Sequence, residues 1–193
     1  VKGEKMANSI HVEAGNLEDD DDGIAKGQTL AAAGDVDLDG DLVTDGVAVL
    51  TGAGYARQVE ITSTGDDTGV IFTLYGFNAT GNMQEERVTG TSAGVATSTL
   101  YFRTITRIAA SGATDGDISV GVNEEGVTRI VNIDTALNPS QVSVTATAIG
   151  TINYTLQWTT GDIQGNPIWV DSTDMTGEAG DSFATIMYPA TGM

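Results

Sequence analysis

The chain of 193 residues contains no cysteine, and this absence limits both its chemistry and its architecture. Without cysteine there is no disulfide framework and no thiolate chemistry. The stability of the fold must therefore come from the packing of side chains or from contacts between subunits.

Histidine is nearly absent as well, because His11 is the only one. A nucleophilic triad and a histidine-rich metal site both need more than this residue can supply. Two aspartate pairs remain as candidates for glycoside hydrolysis, Asp66 with Asp67 and Asp171 with Asp174. Adjacent aspartates in a glycine-flanked turn are typical turn formers, and the second pair is predicted to lie in a solvated loop. We therefore expect no enzymatic activity and assign no catalytic residue.

Positive charge is scarce, with 8 Lys and Arg against 27 Asp and Glu and a formal net charge of −19. Binding to nucleic-acid phosphates requires clustered Lys and Arg, and anionic membrane surfaces repel an acidic protein. No apolar run is long enough to cross a bilayer. We expect no nucleic-acid partner and no membrane partner, whereas docking on a basic protein surface is permitted.

What the chain has in quantity is glycine and short runs of β-branched and aromatic residues. Val59 and Ile61 alternate with polar neighbours, with the period of two expected of a half-buried strand. Similar segments follow at residues 70–76, 83–89, 101–109 and 118–122, separated by turn-forming residues. These five strands predict an antiparallel meander or one half of a sandwich.

The remainder of the chain also reads as strands, at residues 9–14, 127–133, 141–148, 151–159, 168–171 and 183–188. We predict an all-β fold: an antiparallel β-sandwich, jelly-roll-like, as one or two small sandwiches with an extended N-terminal arm. The predicted domains are an arm over residues 1–33, a sandwich over 34–125, and a second β sub-domain over 126–193 after the polar break at 123–126. The alternative for the arm is a disordered leader, since residues 18–22 form a block of like charge.

A calcium loop is the first candidate site, because Asp35, Asp37, Asp39 and Gly40 match EF-hand positions 1, 3, 5 and 6. The twelfth position is Gly46 where an acidic ligand is required, and no amphipathic helix flanks the loop. The alternative is a strand with its aspartates facing solvent. The candidate metal ligands are Asp35, Asp37, Asp39, Asp41 and Asp45, with Ca²⁺ as the only cofactor considered.

A protein interface is the second candidate site. Arginine suits interfaces because its guanidinium can bind carboxylates in a bidentate manner. The alternative is that the arginines of the predicted strands only neutralise neighbours such as Glu85 and Glu86. Trp158 and Trp169 could stack on sugars, but Trp158 shares a predicted face with Leu156 and is expected in a core. The candidate interface residues are Arg87, Arg103, Arg107 and Arg129.

Several blocks of the chain resemble a family of β-rich proteins found in the structural gene clusters of tailed bacteriophages. The blocks are VEITSTGDDTGVIFTLYGFNATGN at residues 59–82, EERVTG at 85–90, STLYFRTITRIAASGATDGDISVG at 98–121, and NYTLQW at 153–158 with a later Ile-Trp. In order they span roughly residues 36–193 of the chain. The resembling proteins usually continue for one or two more strands, so an incomplete C-terminus is one interpretation of the last sub-domain.

The resemblance implies a virion structural protein, most often a head decoration (cement) protein on the outer surface of the capsid. Its partners would then be the major capsid protein and other copies of itself, with trimers as the implied oligomer. A neck, tail or head-fibre component is the first alternative. A secreted Ca²⁺- or glycan-binding β module is the second, and calcium-dependent melting or glycan retention would distinguish it.

Overall fold

The computed structural model describes residues 9–15, 17–50, 55–128, 141–149, 153–158, 170–172, 176–177, 179 and 182–187. Every regular element in these ranges is a β-strand, which confirms the predicted all-β class. The described residues include no helix long and apolar enough to span a membrane. The contacts divide the chain into two compact units, residues 17–131 and residues 1–16 together with 132–193.

The larger unit contains ten strands among the residues described. They are β2 (Asp20–Gln28), β3 (Gly34–Asp35), β4 (Val43–Thr44), β5 (Val47–Val49), β6 (Tyr55–Ser63), β7 (Ile71–Phe77), β8 (Met83–Thr89), β9 (Val95–Thr97), β10 (Thr104–Ala110) and β11 (Ile118–Thr128). The smaller unit contributes β1 (Ser9–Gly15), β12 (Gln141–Ile149), β13 (Gln157–Trp158), β14 (Val170–Asp171) and β15 (Ser182–Met187).

The strands of the larger unit form two antiparallel sheets that make a β-sandwich. One sheet has the order β4-β5-β10-β7-β8, with β3 also paired to β10, and the other has the order β2-β11-β6-β9. The predicted β-sandwich is therefore confirmed. The five central strands do not form a single meander or one half of the sandwich, because they are divided between the two sheets. The chain leaves β6 in the four-stranded sheet and enters β7 in the six-stranded sheet, because each inward face needs an opposing sheet to bury it.

One apolar core fills the space between these sheets. The period-two pattern predicted for the central strands is confirmed, since Val59, Ile61, Phe72 and Leu74 are completely buried. The core also contains Ile24, Ala48, Leu50, Phe102, Ile105, Ile108, Ile118, Val120 and Val122. Both sheets contribute to this set, and burial of apolar area is the main force holding them together.

The turn between β7 and β8 shows how the sequence fixes a hairpin. The side chain of Asn78 accepts hydrogen bonds from the backbone N–H of Thr80 at 3.0 Å and of Asn82 at 2.9 Å. Gly81 has φ +83°, a conformation that costs a residue without Cβ very little. The turn predicted here is present, and it sets an unbroken register between the two strands.

The polar run at residues 123–126, predicted as a domain boundary, lies inside β11. The register between β11 and β6 shifts between Val122 and Gly126, and pairing resumes at Gly126 opposite Arg57. The polar residues thus form an irregularity within a strand, with the Asn123 side chain accepting from the N–H of Glu125 at 3.0 Å. The larger unit continues to residue 131.

The smaller unit contains a three-stranded sheet of order β1-β12-β15 and a short β13–β14 pair. The strands predicted near residues 9–14 and 141–148 are confirmed. Strand β1 runs parallel to β12, with Ile10 opposite Val144, a departure from the all-antiparallel prediction. Residues 1–33, predicted as one arm, thus supply a strand to each unit, because β1 pairs with β12 and β2 pairs with β11.

Candidate functional site

The outer face of the six-stranded sheet carries a line of exposed apolar side chains. Thr104 of β10 lies opposite both Val49 of β5 and Phe77 of β7, and Phe77 lies opposite Met83 of β8. Directly opposed residues project from the same face of a sheet. Their exposed fractions are 40 % for Val49, 39 % for Phe77 and 82 % for Met83. We call Val49, Thr104, Phe77 and Met83 the apolar row.

The next residues on this face carry charge. Arg107 lies opposite Tyr75, and its guanidinium stands 5.2 Å from the centroid of the Tyr75 ring. The same guanidinium donates to Asp35 with an Nη2–Oδ1 distance of 2.7 Å. This hydrogen-bonded ion pair raises the pKa of Arg107 and lowers the pKa of Asp35. The aromatic ring and the carboxylate together hold one predicted interface arginine in a fixed position.

Two of the other three predicted interface arginines lie within the described residues. Arg87 is exposed on β8, opposite Thr73, on the same face as the apolar row. Arg103 is exposed immediately before β10, and its backbone N–H donates to Phe77 at 2.7 Å. Arg129 lies outside the described residues. The structure therefore brings Arg87 and Arg107 to one face and leaves Arg103 at its margin.

The predicted calcium loop has the burial pattern of the strand alternative, although only Gly34–Asp35 within it forms a strand. Val36 is buried, whereas Asp35, Asp37 and Asp39 are exposed, as that alternative requires. Among the described residues, which include the whole loop, these carboxylates do not converge on a common point.

Three aspartates of this loop have local roles. Asp39 accepts from the backbone N–H of Lys26 at 2.8 Å, and Asp41 pairs with the Lys26 ammonium at 3.0 Å. That pairing raises the pKa of Lys26. Asp45 has φ +53° and precedes Gly46 in the turn between β4 and β5. The loop is thereby tied to β2 and to β10 by its own polar groups.

A different group of carboxylates does come together within the described part of the chain. One oxygen from each of Asp19, Asp21 and Glu60 lies within 4.8 Å of the others. The two aspartates are exposed and Glu60 is half-buried, and Glu60 also accepts from Thr97 Oγ1 at 3.2 Å. Clustered acidic groups on a protein of this charge are common, and this group stands without a second feature that would mark a cation site.

Of the two aspartate pairs considered for catalysis, Asp66 and Asp67 lie in the connection between β6 and β7. Asp66 accepts from the Thr68 hydroxyl at 2.8 Å, which lowers the pKa of Asp66. Asp67 is fully buried, and its Oδ1 accepts from the N–H of Asp115 at 2.8 Å. These bonds tie the β6–β7 loop to the β10–β11 loop. Asp171 lies on β14 and accepts from Gln157 at 2.9 Å, whereas Asp174 lies outside the described residues.

Arg57 is a buried charged residue that is not among the arginines predicted from the sequence as interface residues. It is 7 % exposed, and its guanidinium donates to the carbonyl oxygens of Glu18 and Asn123. Burial lowers the pKa of Arg57, while the nearby carboxylates of Asp20 and Asp19 act in the opposite direction. The signal was available, because Arg57 has the same parity as the buried Val59 and Ile61 on β6.

The remaining sequence candidates are only partly described. His11 lies on β1 and Trp158 on β13, but their side-chain surroundings are outside the description, as is Trp169. Neither a protein-family model, nor a curated protein, nor a solved structure matches this chain. The function must therefore be argued from the surfaces of the sandwich and from the sequence blocks themselves.

Proposed function

We propose that this chain is a non-enzymatic structural component of a tailed-phage particle, which binds the outer surface of the head and stabilises the capsid. The observation that carries the proposal is the order of the resembling blocks at residues 59–82, 85–90 and 98–121. In the structure these blocks contain all of β7 and β10, most of β8, and parts of β6 and β11, so they contribute strands to both sheets of the sandwich. The resemblance thus involves the folding unit itself rather than a single hairpin.

The proposed binding surface is the outer face of the six-stranded sheet. The apolar row supplies area that gains free energy when water is removed, and Arg87 and Arg107 supply bidentate donors for carboxylates of the partner. The proposed partner is the major capsid protein, and no nucleic acid or membrane takes part. A net charge of −19 agrees with exclusion from DNA and from anionic lipid.

The test begins with purified particles from a phage that encodes this chain. Quantitative mass spectrometry should find the protein in many copies per particle, and cryo-electron microscopy should place it on the head exterior. Particles from a deletion strain should lose their DNA at lower temperature, and adding the purified protein back should restore the wild-type value. Absence from particles would exclude the proposal, and a few copies at the neck or tail would favour the first alternative.

A pair of variants tests the binding surface. Phe77→Asp places a charge in the middle of the apolar row and should abolish rebinding to deletion-strain particles. Val95→Asp is the matched control, because Val95 is 49 % exposed on β9 of the other sheet. Equal loss of rebinding in both variants would show that the six-stranded sheet has no special part in docking.

A further inference from the structure

The edge of the six-stranded sheet offers a second surface, made of backbone groups on β8. Strand β8 pairs with β7 in an unbroken register of seven residues, and β8 is the last strand on that side. Two hydrogen bonds just beyond the ends of this ladder show which residue pairs are hydrogen-bonded. Gly90 N–H donates to the carbonyl oxygen of Val70, and Asn78 N–H donates to that of Asn82, both at 2.9 Å. Even-numbered residues of β8 therefore bond to β7, because bonded and non-bonded pairs alternate along an antiparallel ladder.

The odd-numbered residues of β8 direct their N–H and C=O groups away from β7, to the open side of the sheet. These residues are Met83, Glu85, Arg87 and Thr89, and all four are exposed. An open edge of this kind is a template for another strand.

The other edge strands of the described sandwich are poorer templates. Strands β4 and β9 have two and three residues. Strand β2 has nine residues, but its register with β11 shifts twice, and it begins in a run of aspartates. Bulges, short length and charged side chains are devices that block edge pairing. Strand β8 is regular and seven residues long, and although it is charged, its charges are of both signs, so a strand of complementary charge can neutralise them.

The charges on β8 are complementary to those of an antiparallel copy of the same strand. With a two-fold axis at Glu86, Glu85 lies opposite Arg87 of the partner subunit, Arg87 lies opposite the partner's Glu85, and Met83 lies opposite the partner's Thr89. If the two β8 strands are shifted by two residues in one direction, Arg87 lies opposite the partner's Arg87. If they are shifted by two residues in the other direction, Glu85 lies opposite the partner's Glu85. Opposite charges stabilise a cross-strand pair and like charges destabilise it, so one register is selected.

The residue on the axis does not oppose this arrangement. The Glu86 carboxylate is turned back into its own subunit, where it accepts from Thr99 N–H at 2.7 Å, Thr99 Oγ1 at 2.7 Å and Leu100 N–H at 2.9 Å. Two such carboxylates are thereby held away from each other. Met83, which has the highest exposed fraction of the large apolar residues described, gains cover from the second strand.

We propose that β8 pairs antiparallel with β8 of a second copy of this chain, about a two-fold axis at Glu86, so that one sheet continues through both subunits. The inference does not rest on the proposed function, because it concerns only self-association of the purified chain. It predicts a dimer, whereas the resemblance to phage proteins implies trimers. Oligomer mass therefore separates the two ideas, and particle location tests the function independently.

The decisive experiment is a charge swap followed by sedimentation equilibrium at about 0.15 M salt, which screens the repulsion between two acidic subunits. The unmodified chain should be a dimer. Glu85→Arg and Arg87→Glu should each weaken dimerisation at least about tenfold, because each replaces two attractive pairs by repulsive ones. The double variant Glu85→Arg/Arg87→Glu should recover the dimer. Glu124→Arg and Arg103→Glu are the controls, with the same charge changes at exposed positions off β8.

A second measurement uses the absence of native cysteine and does not depend on the charge variants folding well. Residue 86 is the one position that faces itself across the axis, with an expected Cα separation of about 4.5 Å, which suits a disulfide. Glu86→Cys should therefore oxidise to a covalent dimer much faster than Gln84→Cys, which faces the partner's Val88. A monomeric or trimeric chain, a swap that fails to restore the dimer, or equal oxidation at 84 and 86 would each overturn the proposal.

Discussion

The two sheets of the sandwich share one core but treat their edge strands in opposite ways. In the four-stranded sheet, β2 meets β11 through two register shifts and starts in an acidic run that is held by Arg57. In the six-stranded sheet, β8 continues the register of β7 without interruption and leaves its outer backbone groups exposed. The contrast indicates that local irregularity prevents an edge strand from pairing with another chain. The sequence of β2 supplies such irregularity, and that of β8 does not.

The largest expected effect tests whether the two sheets do share one core. Ile61→Ala in the four-stranded sheet and Leu74→Ala in the six-stranded sheet should each lower the free energy of unfolding by about 2–5 kcal/mol. Both side chains are fully buried in the same cluster. Urea denaturation monitored by circular dichroism and by tyrosine fluorescence should show a similar loss for both. A large loss for one variant and none for the other would mean that the sheets are not interdependent.

The next effect concerns Arg57, which holds the acidic segment at the start of β2, the edge strand of the four-stranded sheet. Arg57→Met keeps the aliphatic volume but removes the donors to the carbonyl oxygens of Glu18 and Asn123. Leaving buried acceptors without donors should cost about 1–3 kcal/mol of unfolding free energy. Arg103→Met is the control, because Arg103 is exposed and should tolerate the change. Hydrogen exchange should increase most in β2 and the second half of β11, and uniform exchange would argue against a local clamp.

An effect of comparable size tests how closely β2 approaches β11. A Cβ added at Gly121 would stand 1.8 Å from the carbonyl oxygen of Asp20, whereas one added at Gly27 on β2 would meet nothing within 4 Å. Gly121→Ala should therefore force the strands apart and cost about 1–3 kcal/mol, as overpacking usually does. Gly27→Ala should leave the melting temperature nearly unchanged. Equal stability of the two variants would contradict the close approach at the acidic start of β2.

The sequence predicts strands well and their partners poorly. Alternation located β6, β7, β8 and β11 and gave the buried faces of Val59 and Ile61, because burial of one strand face is a local property. It did not show that β6 and β7 enter different sheets, or that residues 123–125 form a bulge, since both depend on pairing between distant segments. The exposed arginines could be named in advance, but the apolar row could not, because it is assembled from β5, β7, β8 and β10 by register alone.

The smallest expected effect concerns the ion pair of Asp35 with Arg107, on the outer face of the six-stranded sheet. The guanidinium lowers the pKa of Asp35 in the folded state, so the pair contributes stability above the ordinary aspartate pKa of about 3.9. That contribution is lost as the pH falls through the lowered, folded-state pKa. Asp35→Asn should therefore melt slightly below the unmodified chain at neutral pH and low salt.

The difference should disappear at strongly acidic pH, and high salt should reduce it, because both side chains are about half exposed. Asp37→Asn is the matched control, since Asp37 is exposed in the same segment and its side chain pairs with no arginine among the described residues. A difference between Asp35→Asn and the unmodified chain that grows on acidification would contradict the sign of this linkage. With so small an expected effect, the main role of the pair is to hold Arg107 in position on the outer face of the six-stranded sheet. Buried Arg57, at the β2 edge of the other sheet, contributes more to stability.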